Sequence, residues 1–168
     1  ITLLSYFLIL MDNSIVFTSS VQIGDSLGLT SAALSWVSSA YTLTFGGLLL
    51  LSGRLSDLIG RKRIFLIGLL IFGASSLVIG LSNSAEIVIT MRAIQGIGSS
   101  IIAPTTLALI MDAYQNEMRQ RAISYYGATA GIGSSIGLLV GGGLTSLISW
   151  RAGFLINVPF TILLFILT

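Results

Sequence analysis

The stretch Gly53-Arg54-Leu55-Ser56-Asp57-Leu58-Ile59-Gly60-Arg61-Lys62-Arg63 decides the fold of this chain. It carries four of the eight basic residues and one of the six acids found in 168 residues. Long apolar runs flank it on both sides. A charged hairpin between two such runs marks the edge of a membrane, and its basic content marks the cytoplasmic edge.

Composition agrees. The chain is 54% hydrophobic and 8% charged, with a mean hydropathy of +0.99. Soluble domains carry about 25% charged residues, so this much apolar surface calls for lipid as the solvent. There is no basic stripe interleaved with aromatics, which argues against nucleic acid as a partner. Without Cys there is no disulfide framework or thiolate chemistry, and without His the usual neutral-pH proton carrier is absent. Proton chemistry therefore falls to carboxylates. No Ser/His/Asp set can form and no Gly-rich phosphate loop follows a strand, so an enzyme is not expected, nor a cofactor or metal. The chain opens at Ile1 inside one apolar run and closes at Thr168 inside another, as expected of a piece of a longer protein.

A bilayer-spanning helix needs about 20 apolar residues. Six segments qualify: 1–22, 33–52, 63–82, 86–110, 122–148 and 152–168. They lack the period of two that barrel strands require. Basic residues divide unevenly between the connections. Arg54, Arg61, Lys62, Arg63, Arg119 and Arg121 fall on one side, and Arg151 alone on the other. The basic side is the cytoplasmic one, which also puts both ends of the chain there. Gly53 and Arg61 close the second segment with the spacing that Gly143 and Arg151 repeat at the fifth, which suits a three-plus-three inverted repeat.

Two charged residues lie inside the apolar segments. Asp12 is in the first; a carboxylate in the membrane interior faces a cavity or a partner. It reads either as a proton or cation site or as a structural carboxylate bonded to a neighbouring helix. Arg92, in the fourth, either snorkels to the outer interface or pairs with Asp12, the one acid inside a neighbouring segment. Antiparallel helices would place both in the outer half of the bilayer. The pair would close when Asp12 is charged and open when it is protonated. Arg92, Gly96, Ser100, Pro104 and Ala108 recur every four residues on one helix face, where small side chains admit a close neighbour or leave a groove. Gly133, Gly137 and Gly141, followed by Gly142 and Gly143, form a similar face in the fifth segment, with Gly127 and Gly131 a second pair. Close packing or bending accounts for them. In the opening stretch, Gly53 would let a helix pass closely, a helix N-terminus or a nearby arginine would compensate Asp57, and Asp112 would partner Arg61. Arg61, Lys62 and Arg63 would hold the anionic inner leaflet. An ordinary topogenic loop is the plainer alternative.

These residues resemble the signatures of the major facilitator superfamily, and the resemblance covers the chain. Gly53-x-x-x-Asp57-x-x-Gly60-Arg61-Lys62-Arg63 resembles its motif A. Arg92-Ala93-Ile94-Gln95-Gly96-Ile97-Gly98 resembles motif B, and Gly133-x-x-x-Gly137-Leu138-x-x-Gly141-Gly142 resembles motif C. Met11-Asp12-Asn13-Ser14-Ile15-Val16 is similar to the first-helix Asp motif of the fourteen-helix drug:proton antiporters. Trp36-x-x-x-x-Tyr41 and Ser149-Trp150-Arg151-Ala152-Gly153-Phe154-Leu155-Ile156-Asn157-Val158-Pro159 fit that family too. Leu138 stands where motif C has Pro, and Arg151-Ala152-Gly153 replaces the usual Arg-Trp-aromatic run.

The resemblance implies an all-α membrane fold whose six helices, residues 1–168, make the N-terminal half of a proton-coupled exporter. That exporter would lie in the plasma membrane and move a lipophilic or cationic small molecule by alternating access, together with protons and a C-terminal half. Asp12 would be the proton site, and Arg92 with Gln95 would belong to the coupling region. Asp57, Arg61 and Asp112 would be inner-gate charges that stabilise the outward-open state. Export of a lipid, siderophore or metabolite, uniport, and a non-transporting half-module are the alternatives.

Overall fold

A computed structural model describes all 168 residues. Helix α1 (Thr2–Leu27) ends where Gly28 turns left-handed at φ 62°. The Leu29 N–H reaches back to the Gly24 carbonyl at 2.9 Å, closing the turn. Thr30 then caps α2 (Ser31–Ile59) by accepting the Ala33 N–H. Gly60 alone separates α2 from α3 (Arg61–Leu81). Helices α4 (Ala85–Ala113) and α5 (Asn116–Leu147) follow. The last span is broken into α6 (Trp150–Leu155) and α7 (Asn157–Leu167) at Ile156. Pro159 explains the break, because it has no N–H to offer the Leu155 carbonyl. Pro104 lacks the same donor, yet α4 runs through it unbroken.

Six of these spans are long and apolar enough to cross a membrane. They outrun the segments expected from hydropathy. The 53–63 stretch is not a loop: Gly53, Arg54 and Asp57 are the last turns of α2. The 24–31 connection is likewise mostly helix, whereas residues 82–84 form a loop between α3 and α4. Length is the reason. At 1.5 Å per residue the 29 residues of α2 extend about 44 Å, beyond a hydrocarbon core of ~30 Å. The helix keeps its hydrogen bonds after its side chains turn polar.

The packing pairs α1 with α5 and α2 with α4, the equivalent pairs of two three-helix repeats, while α3 lies against α4 and α7. Arg61 opens α3, and Arg151 sits in the first turn of α6. Small residues set the close approaches. A Cβ on Gly137 would lie 2.7 Å from the Met11 carbonyl, and one on Gly98 would lie 2.8 Å from the Phe72 nitrogen. Gly133 and Gly141 meet the same face of α1. The 92–108 face of α4 meets α2: a Cβ on Gly96 would strike Thr44, and Ser100 shares a hydroxyl hydrogen bond with Ser52. Helix packing therefore occupies the Gly96–Ser100 part of that face.

Other glycines do not pack as the sequence pattern suggests. Gly53, Gly127, Gly131, Gly142 and Gly143 have open space where a Cβ would stand. Spacing by four marks a face but does not supply the neighbour, and these faces of α2 and α5 have none within the chain.

Two apolar clusters form the core. Leu8, Ile15, Phe65, Phe72, Ile102 and Leu164 belong to one. Val16, Ile23, Val37, Ile79, Val88 and Phe154 belong to the other. Between them lies a polar layer.

Candidate functional site

Five elements supply that layer: Asp12 from α1, Tyr41 from α2, Ser76 from α3, Arg92 and Gln95 from α4, and Asn157 from α7; on α3 and α4 these residues lie between contributions to the two clusters. Asp12 is 0% and Arg92 1% exposed. Asp12 stands near the midpoint of α1 rather than in its outer half, and Arg92 lies closer to the start of α4.

The Arg92 Nη1 donates to Asp12 Oδ2 at 2.8 Å and to Gln95 Oε1 at 2.7 Å. Its Nε donates to the Val37 carbonyl at 3.2 Å. The guanidinium carbon lies 4.2 Å from the centre of the Tyr41 ring, whose π face favours a cation. The other carboxylate oxygen, Asp12 Oδ1, accepts from Gln95 Nε2 at 3.1 Å and from Asn157 Nδ2 at 2.5 Å. Ser76 Oγ accepts a second bond from Gln95, at 2.7 Å. Asn13 packs outside this layer, donating to the Tyr41 hydroxyl and the Ile9 carbonyl, both at 3.1 Å.

Two buried charges cost several kcal/mol each to desolvate, and such pairs persist where further hydrogen bonds satisfy their remaining atoms. Here the carboxylate accepts three bonds and the guanidinium donates to a carbonyl as well. One polar atom of the layer is left over. Asn157 Oδ1 is buried without a hydrogen-bond partner, a state that costs about 1–3 kcal/mol. The pattern of charges in the spans pointed to Asp12 and Arg92. Nothing in the sequence singled out Ser76, one of many serines, and Asn157 was visible only as a letter in the sixth-span motif.

The 53–63 stretch builds a second cluster at the basic end. Arg61 pairs with Asp112 through Nη1. The same nitrogen donates to the Ala108 carbonyl at 2.9 Å, and Nη2 lies 3.4 Å from Asp57. Gly60 joins the two helices with φ 102°, a backbone that favours glycine. Gly53 makes no close helix contact. Arg54, Lys62 and Arg63 are exposed and outside any ion pair.

The sequence that folds into these six spans matches a known family. Residues 2–168 fit the Major Facilitator Superfamily. The chain belongs to that superfamily. The MFS-type transporter EfpA of Mycobacterium tuberculosis is 43% identical over 150 residues, which is 89% of this chain and 28% of EfpA. The cephamycin export protein CmcT of Amycolatopsis lactamdurans is 38% identical, covering 92% of this chain and 32% of CmcT. The puromycin resistance protein of Streptomyces alboniger is 38% identical over 97% of this chain and 33% of its own length. The chain thus spans about a third of the length of these superfamily relatives. A solved structure of a bacterial homolog to the human lysosomal transporter Spinster, inward-facing and unoccupied, superposes with TM-score 0.86. It covers 99% of this chain and 40% of that one at 20% identity, a likeness of fold. The six spans are thus one half of the superfamily fold, within a membrane protein.

Proposed function

We propose that residues 1–168 are the N-terminal half of a proton-coupled exporter of lipophilic or cationic small molecules, placed in the plasma membrane with both ends of the chain cytoplasmic. The observation that carries this reading is the fully enclosed Asp12–Arg92 pair. A scaffold gains little from two desolvated charges, whereas a proton-driven machine needs a carboxylate whose charge state alters helix contacts. Relatives bearing the names of a cephamycin exporter and a puromycin resistance protein support the cargo class.

With Asp12 charged, α1 and α4 are tied through Arg92, and Gln95 braces both. A proton on Asp12 removes the anion. Arg92 then keeps the Val37 carbonyl, Gln95 and the Tyr41 ring, all on α2 and α4, so the tie to α1 is the one released. Loosening α1 from α4 lets the half rock against its partner, which would meet the open faces of α2 and α5. The Arg61–Asp112–Asp57 cluster would lock the cytoplasmic end while the opposite end is open. The test is substrate efflux driven by an imposed proton gradient in vesicles holding the full-length transporter. Asp12→Asn should abolish coupling; efflux that still follows the gradient in this variant would sink the reading.

A further inference from the structure

We propose that Asn157 is a positioning residue that serves Asp12 in both charge states. Its amide N–H holds the carboxylate, and its unpartnered carbonyl oxygen receives the acid O–H once Asp12 is protonated. This rests on the reading of Asp12 as the proton site.

Asn157 is 0% exposed. Its Nδ2 donates to Asp12 Oδ1 at 2.5 Å and lies 3.4 Å from Ser76 Oγ, whereas Oδ1 has no partner. A carboxylate only accepts hydrogen bonds, and a protonated carboxyl must also donate one. Everything else that touches Asp12 is a donor: the Arg92 guanidinium and the Gln95 amide nitrogen. Gln95 cannot reverse without losing its acceptor for Arg92, since Oε1 takes the Arg92 N–H at 2.7 Å. Asn157 has no such obligation. A half-turn about χ2, a torsion with a broad and roughly two-fold profile, exchanges its donor and acceptor ends. Ser76 keeps its bond from Gln95 when this happens. The charged and titratable groups facing this layer are Arg92 from α4 and Tyr41 from α2; α3, α6 and α7 bring none to it.

The backbone around Asn157 adds a consequence. Asn157 is the first residue of α7, next to the break at Ile156. The amide that follows the Asp12 proton therefore sits at the one discontinuity of the last span, where the helix is least stiff.

Difference infrared spectra of the full-length transporter in lipid vesicles, taken between alkaline and acidic pH, test this. The carboxylic C=O band that vanishes in Asp12→Asn belongs to Asp12. In Asn157→Leu, close in size but without an acceptor, that band should move to higher frequency, as for an acid with a free O–H. The pH midpoint of gradient-driven efflux should shift with it. Asn157→Gln, which restores both ends of an amide, should return the band toward its original place. Asn157→Ala is read in parallel so that the result does not hinge on how leucine packs. An unmoved band in both Asn157→Leu and Asn157→Ala overturns the role of Asn157 alone. If Asp12→Asn removes no band, the proton-site reading falls and this inference falls with it.

Discussion

Arg92 rests its guanidinium on the ring of Tyr41, 4.2 Å from the centroid, while its Nη1 reaches Asp12 at 2.8 Å. One cation thus joins α4 both to α2 and to α1. The ring is a neutral seat that does not change with protonation of Asp12. Tyr41→Phe keeps the π face and loses only the hydroxyl, with its bond from Asn13, so efflux should stay within a few-fold of wild type. Tyr41→Leu removes the seat and should cost at least tenfold. Initial rates of gradient-driven efflux, matched for membrane content, separate the two; equal losses would place the effect in the hydroxyl.

The buried pair should show strong coupling in a double-mutant cycle. Arg92→Gln leaves Asp12 desolvated without its cation, which costs about 3–5 kcal/mol by analogy with other buried pairs. Adding Asp12→Asn removes the stranded charge and should restore most of that loss, though no coupling to protons. Thermal unfolding in detergent measures both. Additive destabilisation in the double variant would show that the two charges act independently.

At the basic end the geometry ranks the partners of Arg61. Asp112 is the closer ion-pair partner, with Asp57 at 3.4 Å. These side chains are partly exposed, so the cluster should contribute at most about 1 kcal/mol to stability and act on the transport cycle instead. Exchanging Arg61 with Asp112 should therefore rescue more efflux than exchanging Arg61 with Asp57: either swap sets a new acid at 61 against the remaining aspartate, and the second sets it against the closer one. Equal rescue by the two swaps would contradict this ranking.

Two glycines of the 53–63 stretch should behave oppositely. Gly60 has open space around it but φ 102°, so Gly60→Ala should cost about 1–3 kcal/mol in backbone strain alone. Gly53 is helical with nothing near its missing side chain. Any defect in Gly53→Ala would have to arise from a neighbour outside these residues. Folding yield and thermal unfolding of the two variants decide it.

Glycine packing offers a further contrast. Gly137→Ala would push a methyl against the Met11 backbone at 2.7 Å, and backbone yields less readily than a side chain. A loss of about 1–3 kcal/mol is expected. Gly142→Ala meets nothing within 4 Å in this chain, and higher helix propensity makes it neutral or slightly stabilising here. A stability scan of both variants checks the order.

The spans and the pairing of Asp12 with Arg92 were legible because each depends on a local signal, apolar length in one case and an isolated charge in the other. The ends of α2 and α5 were not, since hydropathy stops where side chains become polar while the backbone continues. Ser76 and Asn157 were hidden for a different reason. A neutral polar side chain in a span has no meaning until helix register shows what lies opposite it. The glycine series shows the same limit: Gly133, Gly137 and Gly141 meet α1, whereas Gly142, one residue further, faces the open side of α5.

The two apolar clusters on either side of the polar layer have a consequence of their own. Phe65, Leu69 and Phe72 on one side, and Ile79, Val88 and Phe154 on the other, are almost entirely buried. They act as electrical insulation around the Asp12–Arg92 contact. Both clusters are built of aliphatic, methionine and aromatic side chains, which give a proton no standing wire through them. On the proposed reading of Asp12 as the proton site, reaching it through these clusters would require the insulation itself to part, which would tie each proton to a rearrangement of the bundle.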